Sequence, residues 1–164
     1  MKIGILSDSH GKAGRVRRAL AELIQRGAEQ VVHCGDVGSV ECVAALAEAG
    51  VQAYLVAGNM DRHPEKLAKE AARTGVHFSE GSVVVPLAGG GRLAVTHGND
   101  TSVIAKLLAD PQVRYICQGH THNPRDERIG EKRIINPGAL RHTRQPSVAL
   151  LDTDTDTLEL IEVR

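Results

Sequence analysis

The sequence predicts an α/β protein of two packed sheets with helices outside. Its first half alternates short apolar runs with amphipathic stretches, the pattern of parallel strands joined by crossover helices. Its second half is a succession of short strands separated by turn residues. The 164 residues suit one unit of ordinary size, so residues 1–164 are expected to form a single domain.

The elements follow in order. Lys2–Leu6 is an apolar strand, and Lys12–Arg26 sets Val16, Leu20, Leu23 and Ile24 at helical spacing before Gly27 stops it. Gln30–Cys34 reads as the second strand. Ser39 is a cap candidate for a helix presenting Val40, Val43 and Leu46 and ending at Gly50, and Val51–Val56 is the third strand. Pro64 suits the first turn of a third helix that ends near Gly75. Val83–Leu87 and Leu93–Thr96 flank Ala88-Gly89-Gly90-Gly91 as a hairpin, and Thr101–Ala109 is a helix closed by Asp110-Pro111. Val113–Cys117, Asp126–Ile129, Arg133–Ile135, Ser147–Leu151 and Leu158–Val163 read as strands. Asp152–Asp156 looks like the start of a calcium loop, but Thr157 and Val163 stand where such a loop needs Gly and Glu, so a solvated hairpin turn is expected.

Composition narrows the function. Twenty basic and twenty acidic side chains cancel, so no net charge draws the chain to long nucleic acid or to a membrane surface. Tyr54, Phe78 and Tyr115 are the only aromatics, too few for a base-stacking platform. Cys34, Cys42 and Cys117 form an odd set without a Cys-x-x-Cys pair, which disfavours disulfides and thiolate zinc. With no apolar run of signal or membrane length, the expected compartment is the cytoplasm.

Five segments repeat one arrangement, an apolar strand ending in a potential metal ligand. They are Leu6-Ser7-Asp8-Ser9-His10, Val32-His33-Cys34-Gly35-Asp36, Ala57-Gly58-Asn59, Val95-Thr96-His97 and Gln118-Gly119-His120-Thr121-His122. Carboxyl ends of strands are where open α/β sheets place their sites. Each motif alone is a common turn sequence, but together and in order they are specific. Oxygen and imidazole donors without thiolate suit a borderline divalent ion.

In this order the segments resemble the calcineurin-like metallophosphoesterase superfamily, and the length and Asn136-Pro137-Gly138 resemble its small bacterial and archaeal phosphodiesterases. That resemblance implies a four-layer α/β/β/α sandwich and two metal ions. Asp8, His10, Asp36 and His122 would hold the first ion, and Asp36, Asn59, His97 and His120 the second, with Asp36 as the bridge. It implies hydrolysis of a small or activated phosphodiester by a hydroxide between the ions, with Asp36, Asn59, Asp61 and His97 as the catalytic set. Manganese is the first choice of metal, with iron, nickel, cobalt or zinc as alternatives. A small phosphoester is the expected partner, and homo-oligomerisation stays open. The alternatives are a phosphomonoesterase or nucleotidase, and a protein-interaction scaffold such as the phosphoesterase-like subunit of retromer, which has lost metal ligands.

Two departures matter. Many relatives carry His after the Gly-Asn pair to protonate the leaving group, whereas here Met60 follows Asn59. The family's Asn-Pro-Gly-Ser ends in Ala139, which removes a hydroxyl. His63, three residues after Met60, is a candidate substitute acid, although it precedes Pro64 at the expected start of the third helix. His33 is either a packed strand residue or a donor to a ligand or phosphate, and Asp61 is expected to orient a ligand imidazole. Arg125 and Arg141 are solvated or reach a substrate phosphate, while His77 and His142, which lie in no motif, default to surface or structural roles.

Overall fold

A computed structural model describes residues 1–163. Strands β1 (Lys2–Leu6), β2 (Gln30–His33), β3 (Gln52–Val56) and β4 (His77–Ser79) run parallel, linked by helices α1 (Ala13–Gln25), α2 (Val40–Ala47) and α3 (Pro64–Thr74). Strands β5 (Ser82–Pro86) and β6 (Arg92–Thr96) form the expected hairpin, followed by helix α4 (Thr101–Ala109), β7 (Val113–Cys117), β8 (Arg125–Ile129), β9 (Lys132–Asn136), β10 (Ser147–Asp152) and β11 (Thr157–Glu162). The first sheet has the order β11-β10-β1-β2-β3-β4 and the second β5-β6-β7-β9-β8.

Alternation along the strands sorts side chains into three apolar layers. Ile3, Ile5, Val32 and Val56 point inward and meet Leu93, Val95, Tyr115 and Ile135 of the other sheet. Leu6, Val31 and Leu55 point outward against Leu20, Leu23, Val43, Leu46 and Leu67 of α1–α3. Ala94, Ile116 and Ile134 meet Leu107 of α4 on the far side. The result is the four-layer α/β/β/α sandwich. Removing one buried leucine of these layers costs about 2–5 kcal/mol.

Local chemistry explains most boundaries. Pro64 occupies the first turn of α3 and Gly75 closes it in the left-handed conformation. Asp100, unread in the sequence, caps α4 by accepting from the amides of Ser102 and Val103. Ser39 stands at the N-cap of α2 with extended backbone, but its hydroxyl meets Cys42 Sγ instead of a free amide. Strand β4 was not expected: three residues carry no periodicity, and only its pairing with β3 defines it. The Asp152–Asp156 stretch is the β10–β11 turn, and Asp156 is tied to Arg128, Arg133 and Tyr115.

Candidate metal centre

All five motif segments reach one end of the sandwich. Beyond the strands the backbones continue to pair: Asp8 N–H donates to Gly35 O (3.0 Å), His10 N–H to Asp36 O (2.9 Å), Gly119 N–H to His97 O (3.0 Å) and Arg141 N–H to Asp8 O (3.1 Å). These bonds hold the loops that carry the candidate ligands in fixed register.

The seven expected ligands converge. Oxygen and nitrogen atoms of Asp8, His10 and His122 lie within 4.8 Å of one another, and so do those of Asp8, Asp36 and His97. Asp8 belongs to both sets, and Asp36 of the second also faces the first, with Oδ2 3.8 Å from His10 Nε2 and Oδ1 3.4 Å from His97 Nε2. Asn59 Oδ1 lies 2.9 Å from His97 Nε2, and the His120 ring packs edge-on at 5.1 Å from that of His97.

Hydrogen bonds aim the ligand atoms. His97 Nδ1–H donates to Cys34 O (2.8 Å), which turns Nε2 toward Asp36 and Asn59. Asp8 Oδ2 accepts from Ser7 Oγ–H (2.6 Å) and His120 N–H (3.2 Å). Its other oxygen faces His122 Nε2 at 3.1 Å and His10 Nε2 at 3.9 Å. Asp8 Oδ1 and His10 Nε2 are buried and have no hydrogen-bond partner. A pair of buried lone-pair atoms turned on each other is costly without a cation between them, and this donor set fits a divalent ion.

Charge in this small volume shifts the titrations. Burial alone would raise the Asp36 carboxyl, but the His97 contact, the Met60 amide and the nearby imidazoles hold it below the usual range. Burial likewise opposes a charge on His97, and its bonds to Asp36 and Cys34 O outweigh it and raise the pKa. His10 is lowered by burial despite Asp36 and Asp8.

The backbone is strained where the candidate ligands sit. Among the described residues seven non-glycines have positive φ, and five of them are Asp8, His10, Asp36, His120 and His122. Each such residue costs on the order of 1 kcal/mol, sustained here by the paired loops. Two glycines allow the closest approach. A Cβ at Gly58 would stand 2.1 Å from Asp36 Oδ1, and one at Gly119 2.5 Å from Asp8 Oδ2.

The structure corrects one of the sequence expectations and adds detail to two. Asp61 faces no imidazole: its oxygens accept the amides of Val37, Gly38 and Gly58, clamping the Asp36 loop to the Asn59 loop. His33 is the buried strand residue of the first alternative, ending β2, and its ring also hydrogen-bonds to both neighbouring loops. Its Nδ1 accepts Gly35 N–H (3.2 Å) and its Nε2–H donates to Ser9 Oγ (2.9 Å), whose own hydrogen goes to Val37 O. Full burial pushes its pKa down to about 3, so it stays neutral and braces the two loops. His142 is at the surface, as expected, and its ring lies 4.8 Å from that of His10 and 6.4 Å from that of His122.

Other residues fall as the alternatives allowed. Arg125 pairs with Glu127, His77 stacks on Tyr54, and His63 is exposed beside Glu65. Arg141 donates to His10 O (3.2 Å). Asn136, read only as part of a turn, donates to Gly119 O and Thr121 Oγ1 and accepts Gly138 N–H, fixing the loop of His120 and His122. Its position after a buried strand was the one signal.

Residues 1–156 match the model of the calcineurin-like phosphoesterase superfamily domain. The chain belongs to that superfamily. It is therefore a phosphoric ester hydrolase of a metal-dependent family. A phosphodiesterase of Methanocaldococcus jannaschii is 28% identical over 159 residues, 94% of each chain. A probable metallophosphoesterase of Methanothermobacter thermautotrophicus is 28% identical over 173 residues, covering 100% of this chain and 92% of that one. Among solved structures an archaeal phosphodiesterase superposes with TM-score 0.87 at 26% identity, over 99% of each chain. The vacuolar protein sorting 29 of Cryptosporidium parvum shares the fold, with TM-score 0.67 at 20% identity over 98% of this chain and 96% of its own.

Beside the centre, Met60, Asp61, Arg62, His63, Val40 and Leu67 line a groove of about 410 Å³. Met60 and Val40 are 52% and 36% exposed, two of the five large apolar side chains left open to solvent among the described residues. No helix of the described residues is long and apolar enough to cross a membrane.

Proposed function

We propose that this chain is a dinuclear phosphodiesterase that hydrolyses small diesters with good leaving groups, with manganese as its first-choice metal and iron, nickel, cobalt or zinc as alternatives. The observation that carries this is the pair of facing, unpartnered buried atoms, Asp8 Oδ1 and His10 Nε2, with Asp36 turned to both ligand sets. The phosphodiesterases among the relatives support the diester.

Asp8, His10, Asp36 and His122 would hold one ion, and Asp36, Asn59, His97 and His120 the other. Bound divalent ions supply charge neutralisation and a water of lowered pKa. The chain supplies the rest. The bond from His97 Nδ1–H to Cys34 O fixes the tautomer, and Asp61 holds Asn59 and Asp36 in register through backbone amides. The Met60 amide bonds to Asp36 Oδ1 (2.8 Å), but its thioether has no proton to give. The leaving group then departs as an anion into the groove of Met60, Val40 and Leu67, which suits an aryl or similarly flat, acidic alcohol. The unpaired buried cysteines accord with a cytoplasmic setting, and one domain spanning residues 1–164 belongs to the same proposal.

The test is a series of aryl and alkyl diesters at saturating manganese. General acid catalysis contributes about 10²–10⁴-fold for poor leaving groups, so its absence makes the rate depend steeply on leaving-group acidity. Met60→His should flatten that dependence. A shallow dependence in the unaltered protein overturns the account of Met60, and no manganese-dependent hydrolysis of any diester overturns the function.

A further inference from the structure

We propose that His142 is a substrate-binding residue, its imidazole N–H donating to a phosphoryl oxygen of the ester seated against His10 and His122. This rests on the phosphoesterase reading of the same centre. His142 lies outside the five strand-end segments, so its place by the site is made by the loop between β9 and β10.

That loop is fastened where it counts. Leu140 N–H donates to Ser7 O (3.1 Å) and Arg141 N–H to Asp8 O (3.1 Å). Arg141 Nη1 reaches His10 O, and Arg15 Nη1 reaches Leu140 O at 2.6 Å. Residues 140 and 141 are thereby bound to the backbone of the Asp8–His10 loop and to α1, and His142 comes next in the chain. Its φ of +57° gives it the left-handed backbone of the five ligand residues, a conformation that side chains other than glycine adopt at a cost. Such strain collects where a side chain must be aimed.

The three rings step outward. The His10 side chain is 16% exposed, that of His122 25%, and His142 is open to solvent. His142 is the outermost of the three rings, open to solvent and outside the tight set of Asp8, His10 and His122, which places it on the side from which a substrate arrives. A ring that merely packed against His10 would need no left-handed backbone. An imidazole offers an N–H donor whether neutral or charged, which is what a non-bridging phosphoryl oxygen requires.

The experiment titrates manganese-loaded protein with inorganic phosphate in a calorimeter and counts manganese by elemental analysis. His142→Ala should weaken phosphate binding about 10- to 100-fold, the worth of one hydrogen bond to a charged acceptor, with manganese content and melting temperature unchanged. His142→Asn, which keeps an N–H donor and tolerates positive φ, should recover part of the loss. Phosphate affinity equal to the parent's in His142→Ala overturns the proposal, and so does loss of manganese from that variant, which would make His142 an ion ligand. A parent that holds manganese but binds no phosphate and hydrolyses no ester overturns the phosphoesterase reading, and this proposal with it.

Discussion

At the floor of the centre Asp8, His33, Asp36 and His97 are buried and held by backbone amides, carbonyls and serine hydroxyls, whereas Asn59, Met60, His120 and His142 stand open at the rim. The floor places charge and accepts strain, because the loops that bear it are bonded to one another along their length. The rim gives access, and its side chains meet whatever enters. Fold stability and metal affinity should therefore depend on the floor, and substrate choice on the rim.

The sharpest way to break this division is Asp36→Ala, which removes the carboxylate whose two oxygens face His10 and His97. Both ions and nearly all hydrolysis should go, while a rim ligand should affect one ion. Elemental analysis decides, and two ions retained would end the bridging assignment. Next in size is Gly58→Ala, whose Cβ would press on Asp36 Oδ1. Overpacking of this kind costs about 1–3 kcal/mol and should lower metal affinity as well, measured by denaturant melts with and without chelator. A variant as stable and as metal-avid as the parent would mean that the floor can give way.

His33 tests the floor through pH. Its folded pKa of about 3 lies below the unfolded value of 6.5, so between these pH values the unfolded chain takes up a proton that the folded one rejects. Its contribution is intact above pH 6.5 and is lost as pH falls toward 3, at up to about 1.4 kcal/mol per pH unit. Melts of metal-free protein against His33→Gln should show the gap narrowing on acidification, and nuclear magnetic resonance should find the His33 ring neutral at pH 5. A ring titrating near pH 6.5 would show that it is not sealed.

The smallest effect belongs to the rim. His120→Ala should leave the stability of metal-free protein within about 0.5 kcal/mol of the parent, as changes at exposed side chains do. Its metal titration should nonetheless show one weakened ion. A large loss of stability would erase the difference between floor and rim.

Much of this molecule is written locally. Period-2 and period-3.6 patterns are properties of neighbouring residues, so the strands other than β4, the four helices and the β5–β6 hairpin follow from the sequence, and so do the seven candidate ligand positions, because each follows a strand in a short motif. What is held by distant partners is silent there. Strand β4 exists through β3, Asp61 serves amides twenty or more residues away as well as Gly58, and His33 braces Ser9 across two loops. His142 has no motif, and only the bonds of residues 140 and 141 to Ser7, Asp8 and His10 bring it to the centre. Sequence determines which chemistry is available at the strand ends; the tertiary structure alone decides which atoms share a hydrogen bond or a buried gap, because those distances are set by the packing of both sheets together.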